Sequence, residues 1–271
     1  MIERNPITGD PLILAPDREQ RPNLYRDGVD RCPFCAGNES DTPPEIWRDG
    51  DPWRVRVFPN KYPATARHEV IVETPVHHVS FEQLAPDHAA AAVSCYISRY
   101  YSNADARYTS IFKNHGPAAG ASIPHEHSQL IATPFLPERI AREGAAFGDT
   151  CPLCTVDDEP LIAATANFRW IAPRGASMAY EQWIVPRRHE PQMRDALELA
   201  ELLQRSARAM LSIAESFNWM FINFPQHPNA HWYVQLFPRT AVLAGFEIGS
   251  GSAINTVDPV EAALRLGARA G

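Results

Sequence analysis

Four of the five cysteines in this 271-residue chain form two pairs with one spacing, Cys32-Pro-Phe-Cys35 and Cys151-Pro-Leu-Cys154. Thiols with two residues between them in an intracellular chain either ligate a metal or cycle between thiol and disulfide. Redox pairs usually open a helix after a strand. These pairs sit in turn-rich stretches, DRCPFCAGNES and GDTCPLCTVDDEP, so each reads as half of a metal site with further ligands elsewhere. Cys95 lies inside a helical pattern and reads as a small buried apolar residue.

The missing ligands emerge from an internal repeat. After Cys32 and Cys35 come an extended stretch, WRVRVFPNKYPA, a strand ending in histidine, HEVIVETPVHH, a helical pattern, a strand, YTSIFKNHG, and PHEHSQLIATP. After Cys151 and Cys154 come NFRWIAPRGASMAY, EQWIVPRRH, a long helical pattern, NWMFINFP and AHWYVQLFPR. Each half thus supplies two Cys and two His. The first set is Cys32, Cys35, His125 and either His77 or His78; the second is Cys151, Cys154, His189 and His231. Such a set closes a tetrahedron around structural zinc, giving two sites. Spacing from the preceding proline favours His78, because His189 lies three residues after Pro186.

The last elements of the halves align residue by residue. His125-Glu126-His127-Ser128-Gln129 matches His231-Trp232-Tyr233-Val234-Gln235. Residues present in both halves suit the job both need, the metal. His127 is matched by Tyr233 and is therefore the candidate for chemistry. Alternate residues of a strand share a face, so His125, His127 and Gln129 point one way and Glu126 and Ser128 the other. A neutral imidazole with one nitrogen held as a donor leaves the other free as a nucleophile. Gln129 can donate to a phosphoryl oxygen. Upstream, Gly120, Ala121 and Ser122 belong to a loop of small residues whose free amides would let phosphate approach closely. Arg18 and Arg21 follow the strand LILAP and offer forks for phosphate or a solvated turn. Asn60 and Asn114 close two strands, as turn residues often do.

Positioning these residues requires an α/β (α+β) fold. Each half would be a curved antiparallel sheet crossed by one long helix, and the halves would pack pseudo-symmetrically. Residues 1–140 would carry the nucleophile and first zinc site, and residues 141–271 the second. Composition agrees with a globular chain: 45% apolar, 21% charged. Twenty-five prolines spread along the chain read as strand ends and rigid turns. The net charge of −7 argues against non-specific nucleic-acid binding. No stretch reaches the ~20 apolar residues of a membrane helix, and no secretory signal opens the chain, so a cytoplasmic protein is expected.

Together these residues resemble the galactose-1-phosphate uridylyltransferase family of the histidine-triad superfamily, a branch that includes the ADP-glucose phosphorylases. The resemblance runs through RNPITGDPLILAPDREQRP, CPFCAGN, FPNKYPA, VIVETPVH, FKNHGPAAGASIPHEHSQL, CPLC, WIVPRRH, AHWYVQLFP and GFEIGSGSAIN. It implies that His127 attacks the α-phosphorus of a nucleoside diphosphate hexose and becomes a nucleotidyl-histidine. A hexose 1-phosphate, or inorganic phosphate, then takes the nucleotide. The resemblance also implies His77 as the metal ligand and Gln129 at the transferred phosphoryl group. It places Arg18 and Arg21 at nucleotide phosphates, often across a dimer interface, and Asn60 and Asn114 at the nucleotide. Gly120, Ala121 and Ser122 would line the phosphates, and Phe246 and Glu247 would contact the hexose. The second Cys₂His₂ set, H-E-H-S-Q and GFEIGSG lie nearer the ADP-glucose phosphorylase type.

The expected activity is therefore nucleotidyl transfer in carbohydrate, specifically galactose, metabolism, with a nucleotide sugar and a sugar phosphate or phosphate as partners. Two other readings remain. A histidine-triad nucleotide hydrolase would carry a third histidine where Gln129 stands, and a zinc-stapled binding module would leave His127 idle. An unperturbed imidazole nucleophile would lose activity below pH ~6.5. Chelation would destabilise both halves.

Overall fold

A computed structural model describes residues 1–27, 31–227 and 230–270. Two short strands, β1 (Ile2–Arg4) and β2 (Pro11–Ile13), pair antiparallel at the start. Their turn is held by Asn5 Oδ1, which accepts from the Ile7 and Thr8 amides. A 3₁₀ turn at Pro16–Gln20 carries Arg18, and a single helical turn follows, α1 (Leu24–Asp27).

The body of the first half is β3 (Trp47–Asp49), β4 (Val55–Pro59), β5 (Arg67–Val72), α2 (Pro86–Ser102), β6 (Tyr108–His115) and β7 (His127–Thr133). After α3 (Glu138–Gly144) come β8 (Leu161–Ala164), β9 (Phe168–Ile171), β10 (Gln182–Pro186), α4 (Ala196–Leu211), β11 (Phe217–Ile222) and β12 (Tyr233–Pro238). Two short helices, α5 (Gly245–Ser250) and α6 (Pro259–Gly267), complete the order. Ten strands form one antiparallel sheet in the order β3-β4-β5-β7-β6-β11-β12-β10-β9-β8. The run 3-4-5-7-6 is followed by 11-12-10-9-8, so the two runs meet where β6 pairs with β11.

The helices follow from spacing. Ala89, Ala92, Val93 and Tyr96 recur at three- and four-residue intervals and are wholly buried on α2. Leu199, Leu202, Leu203, Ser206 and Met210 do the same on α4. The two stripes pack against each other and over Ile71, Ile111, Leu130, Trp219 and Phe221 of the sheet. Each such large side chain contributes about 1.5–3 kcal/mol by leaving water. The small alanines let the helices approach, so Ala92→Leu would overpack the seam at about 1–3 kcal/mol.

Both helical patterns extend beyond the helices themselves. Pro86 occupies the first turn of α2, where its missing N–H costs nothing, so Phe81–Gln83 forms a separate 3₁₀ turn. Asp195, at φ 59°, starts α4 later than the apolar pattern begins. Cys95 is buried with no exposure, as its pattern requires. Among the described residues, no helix is long and apolar enough to cross a membrane.

Candidate active site and metal centres

The entry to β7 organises the site. His125 and His127 flank Glu126 where the chain joins the sheet, and all three are buried. Alternation sends His127 and Gln129 to one face, where both line a cavity of about 260 Å³. Glu126 and Ser128 go to the other face, beneath α2.

His127 Nδ1 lies 2.7 Å from the His125 carbonyl oxygen. A carbonyl only accepts, so Nδ1 carries the proton and Nε2 keeps its lone pair. Nε2 has no partner among the described residues, and Phe34 packs edge-on against the ring at 5.2 Å between centroids. Burial pushes the imidazole down to about 4, only partly offset by the bond to His125. The ring therefore stays neutral well below the acid limit expected from an unperturbed histidine.

The opposite face of β7 is a buried charge cluster. Lys113 donates to Glu126 at 2.6 Å and to Glu73, and His115 Nδ1 donates to the other Glu126 oxygen at 3.1 Å. Ser128 donates to Glu73 at 2.6 Å, and Tyr96 does so too. Burial opposes ionisation of Glu126, but Lys113 and His115 outweigh it and hold its pKa at about 2. Both carboxylates are thus multiply bonded, the condition under which buried charge is tolerated. The cluster ties β5, β6 and β7 to α2 directly behind His127.

The first metal set converges. Cys32, Cys35, His77 and His125 present their ligand atoms within 4.8 Å of one another. His125 Nδ1 is 3.5 Å from Cys32 Sγ, 3.6 Å from Cys35 Sγ and 3.2 Å from His77 Nδ1. Cys35 Sγ is 3.5 Å from His77 Nδ1. A tetrahedron with zinc–sulfur bonds of ~2.3 Å and zinc–nitrogen bonds of ~2.05 Å has S···N edges of about 3.5 Å and N···N edges of about 3.3 Å. The donor set fits a zinc-sized cation. His125 Nε2 donates to the Thr74 carbonyl at 2.7 Å, which leaves Nδ1 for the metal. His77 enters the cluster and His78 does not. His78 adopts φ 59° and packs edge-on against His77 at 3.9 Å between ring centroids. That turn puts the residue two after Pro75 at the ligand position, so the spacing from proline differs between the halves.

The second set is Cys151, Cys154, His189 and His231, again within 4.8 Å. Cys154 Sγ lies 3.1 Å from His189 Nδ1 and 3.9 Å from His231 Nε2. Cys154 and His189 are exposed, and His231 offers Nε2 where His125 offers Nδ1.

The remaining candidates divide. Arg21, Asn60, Gly120 and Ser122 line the cavity with His127 and Gln129. Arg18 does not; it donates to the Tyr62 carbonyl at 2.6 Å and approaches His68 Nδ1 at 3.4 Å. Asn114 Oδ1 accepts from Asn218 at 2.8 Å, across the β6–β11 junction. Ala121 is buried beside the cavity. The amides of Ala119, Gly120 and Ala121 are not free: they donate to the carbonyls of Gly116 and Pro117. A tight turn consumes them, whereas Ser122, on the cavity wall, keeps its hydroxyl available as a donor. Phe246 and Glu247 lie on α5, away from the cavity, with Phe246 60% exposed. The motifs did not single out Phe34, Lys61, Tyr62 and Arg31, which also line the cavity; Arg31 pairs with Asp41 at 2.7 Å. Lys61 and Tyr62 sit beside Asn60 in FPNKYPA, so that motif was the available signal.

The model for the N-terminal domain of DUF4931, a domain of unknown function, matches residues 17–134. An ADP-glucose phosphorylase of Arabidopsis thaliana is 29% identical, aligning 97% of this chain with 91% of its own. A galactose-1-phosphate uridylyltransferase of Thermotoga maritima is 27% identical over 98% of this chain and 97% of its own. The crystal structure of an Arabidopsis thaliana ADP-glucose phosphorylase with bound ADP-glucose superimposes with a TM-score of 0.80 at 29% identity, covering 98% of both chains. The resemblance drawn from the motifs is borne out: relatives bearing both names match this chain nearly end to end, and both names denote enzymes.

Proposed function

We propose that this chain is a nucleotidyltransferase that acts on a nucleoside diphosphate hexose through a covalent nucleotidyl-His127. The observation that carries this reading is His127 itself. Its Nδ1–H is pinned to the His125 carbonyl, and its Nε2 is unpartnered in a cavity shared with Gln129 and Ser122.

Chemistry follows from that geometry. The Nε2 lone pair attacks the α-phosphorus, and the bond from that phosphorus to the bridging oxygen breaks. Hexose 1-phosphate leaves with the electron pair. The ring gains positive charge while keeping its Nδ1 proton, and the His125 carbonyl stabilises that charge. Gln129 and Ser122 can donate to the phosphoryl oxygens, and Arg21 and Lys61 balance phosphate charge. In the second half-reaction, an acceptor oxygen attacks the same phosphorus and the P–N bond breaks, which frees neutral His127.

The acceptor is hexose 1-phosphate in the uridylyltransferase reading. It is phosphate in the NDP-glucose phosphorylase reading, which the similarity to the Arabidopsis thaliana enzyme favours. Incubation with UDP-glucose or ADP-glucose, followed by intact mass measurement, should show a nucleotidyl adduct. Chase with galactose 1-phosphate or phosphate should discharge it and identify the acceptor. No adduct with either sugar nucleotide would reject the proposal. Release of nucleoside monophosphate without acceptor would instead indicate a hydrolase.

Both Cys₂His₂ sets are assigned to structural zinc, supported at the first by edges that match zinc geometry. Zinc there would hold His125, and through its carbonyl the orientation of His127. The division at residues 140/141 belongs to this reading, as does a pseudo-symmetric relation of the halves, which the repeated strand order supports. Thiol-based sites suit the reducing cytoplasm. A homodimer is assigned from the exposed apolar segment with Val242, Leu243, Phe246 and Ile248; a second copy would bring Phe246 and Glu247 to the hexose. Light scattering tests the dimer.

A further inference from the structure

His68 lies on β5, buried, with an unusual set of neighbours. The Ala64 amide donates to its Nδ1 at 3.0 Å, and an Arg18 guanidinium nitrogen approaches the same atom at 3.4 Å. A backbone N–H can only donate, so Nδ1 must be the unprotonated nitrogen. The charged ring is excluded on the same ground, and burial works in that direction too. The proton therefore sits on Nε2, which lies 2.9 Å from Gln129 Oε1. The Asn60 amide nitrogen, 3.2 Å from Nε2, cannot accept it, because Asn60 Oδ1 is already accepting from Tyr62.

We infer that His68 is a positioning residue: by donating from Nε2 to Gln129 Oε1, it turns the Gln129 amide nitrogen toward the cavity beside His127. The inference rests on the proposed nucleotidyl transfer for its kinetic meaning, but the tautomer and the amide orientation stand on geometry alone.

The second half supplies an internal control. Gln129 lies opposite Val70 in the β5–β7 ladder, and His68 is two residues before Val70. Gln235 lies opposite Trp183 in the β10–β12 ladder, and Glu181 is two residues before Trp183. His68 and Glu181 thus hold corresponding places beside the two glutamines. Glu181 is an acceptor: its Oε1 takes a hydrogen bond from Gln235 Nε2 at 2.6 Å and from Trp183 Nε1 at 2.8 Å. Gln235 Oε1 is turned outward and accepts from Arg139 at 2.7 Å. A donor at this place presents the glutamine's N–H groups, and an acceptor presents its oxygen. Only the first arrangement can receive a phosphoryl oxygen.

The chain of contacts also reaches the N-terminal arm. Arg18 holds the Tyr62 carbonyl, and the Asn60 amide donates to the His68 carbonyl at 2.7 Å. The 60–64 loop that lines the cavity therefore fixes the tautomer as well.

Two measurements test this. Two-bond ¹H–¹⁵N correlation spectra of the full chain should show His68 as the Nε2–H tautomer at pH 7. A ring protonated at Nδ1, or at both nitrogens, would overturn the inference whatever the activity proves to be. Rapid-quench measurement of nucleotidyl-enzyme formation from ADP-glucose and UDP-glucose should show a rate loss of roughly 10- to 100-fold in His68→Leu, as expected for a misplaced donor. The dissociation constant should change much less. His68→Gln, which can still donate, should recover most of the rate, and His68→Glu should not. Equal rates in folded wild type and His68→Leu, or no recovery in folded His68→Gln, would overturn it. If wild type itself forms no nucleotidyl-enzyme, the functional proposal fails, and the spectrum alone decides the tautomer.

Discussion

The strands β7 and β12 begin alike and then part. Each is entered through a buried histidine that belongs to a Cys₂His₂ cluster, His125 in one and His231 in the other. Two residues on, the first has a neutral imidazole with an unpartnered nitrogen, and the second has Tyr233, whose hydroxyl faces Glu143 at 3.4 Å. Across the ladder, small Val70 leaves a cavity above Gln129, whereas Trp183 packs on Tyr233 at 4.7 Å. The clusters differ as well. The first is partly buried and abuts His127, the proposed nucleophile, through the His125 carbonyl; the second is half exposed and, among the described residues, touches no candidate reacting group. The contrast teaches that a strand entered through such a cluster is a scaffold for chemistry rather than chemistry itself.

The sharpest way to break this contrast is at the proposed nucleophile. His127→Ala should abolish the nucleotidyl adduct and lower turnover on the order of 10⁴–10⁶-fold, while both metals stay bound. Tyr233→His should yield no second adduct, because Gln235 there commits its N–H to Glu181 and its oxygen to Arg139 and offers no donor to a phosphoryl group. An adduct at position 233, measured by peptide mass mapping, would show that the halves differ by one residue only.

The next largest effect should come from the clusters. Cys35→Ser should remove one metal and most activity, since it frees His125 and with it the His125 carbonyl that anchors the His127 ring. Cys154→Ser should remove the other metal and lower thermal stability, yet leave most of the rate per folded molecule. Metal content by mass spectrometry, calorimetric melting and initial rates separate the two outcomes. Equal activity losses would contradict the assignment of distinct roles.

A smaller effect concerns acid. Burial pushes His68 down to about 4 from an unfolded value near 6.5. The unfolded chain thus binds the extra proton first, so this contribution is complete above pH 6.5 and is lost as pH falls toward 4. Its size is roughly 3 kcal/mol. Denaturant melts at pH 7 and pH 4.5 should show a smaller acid loss in His68→Gln than in wild type. An identical loss would mean that the ring is not buried neutral.

The smallest expected change is at Gly116, whose φ of +79° disfavours any side chain. A Cβ there would collide with Ser216 Oγ and lie 2.8 Å from the Glu215 carbonyl. Gly116→Ala should cost about 1–3 kcal/mol in a denaturant melt. An unchanged midpoint would show that the loop can shift.

The features written in local spacing were legible in the sequence. The two Cys pairs and the His-terminated strands recur in one order, and strand alternation alone separates His127 and Gln129 from Glu126. The rest depends on neighbours across the sheet. His68 gains its contact only through the register that sets Val70 against Gln129. His77 and His78 are adjacent in the chain, and a left-handed turn at His78 chooses between them. Lys113, Glu73 and Glu126 come from three strands or strand ends, so no spacing announces their cluster. The loop amides at 119–121 looked available because the sequence does not display the turn that uses them.

The junction between β6 and β11 has one more consequence. Five residues of β6 are laddered to β11, and Gly116 sits tight against Ser216 just beyond. Were the chain cut between its halves, each fragment would bare a long row of unspent amides and carbonyls, the kind of lip on which proteins stick to one another. Paring the chain down to the half that bears His127 would therefore bare that lip: the other half serves as the hem that keeps the fabric from fraying.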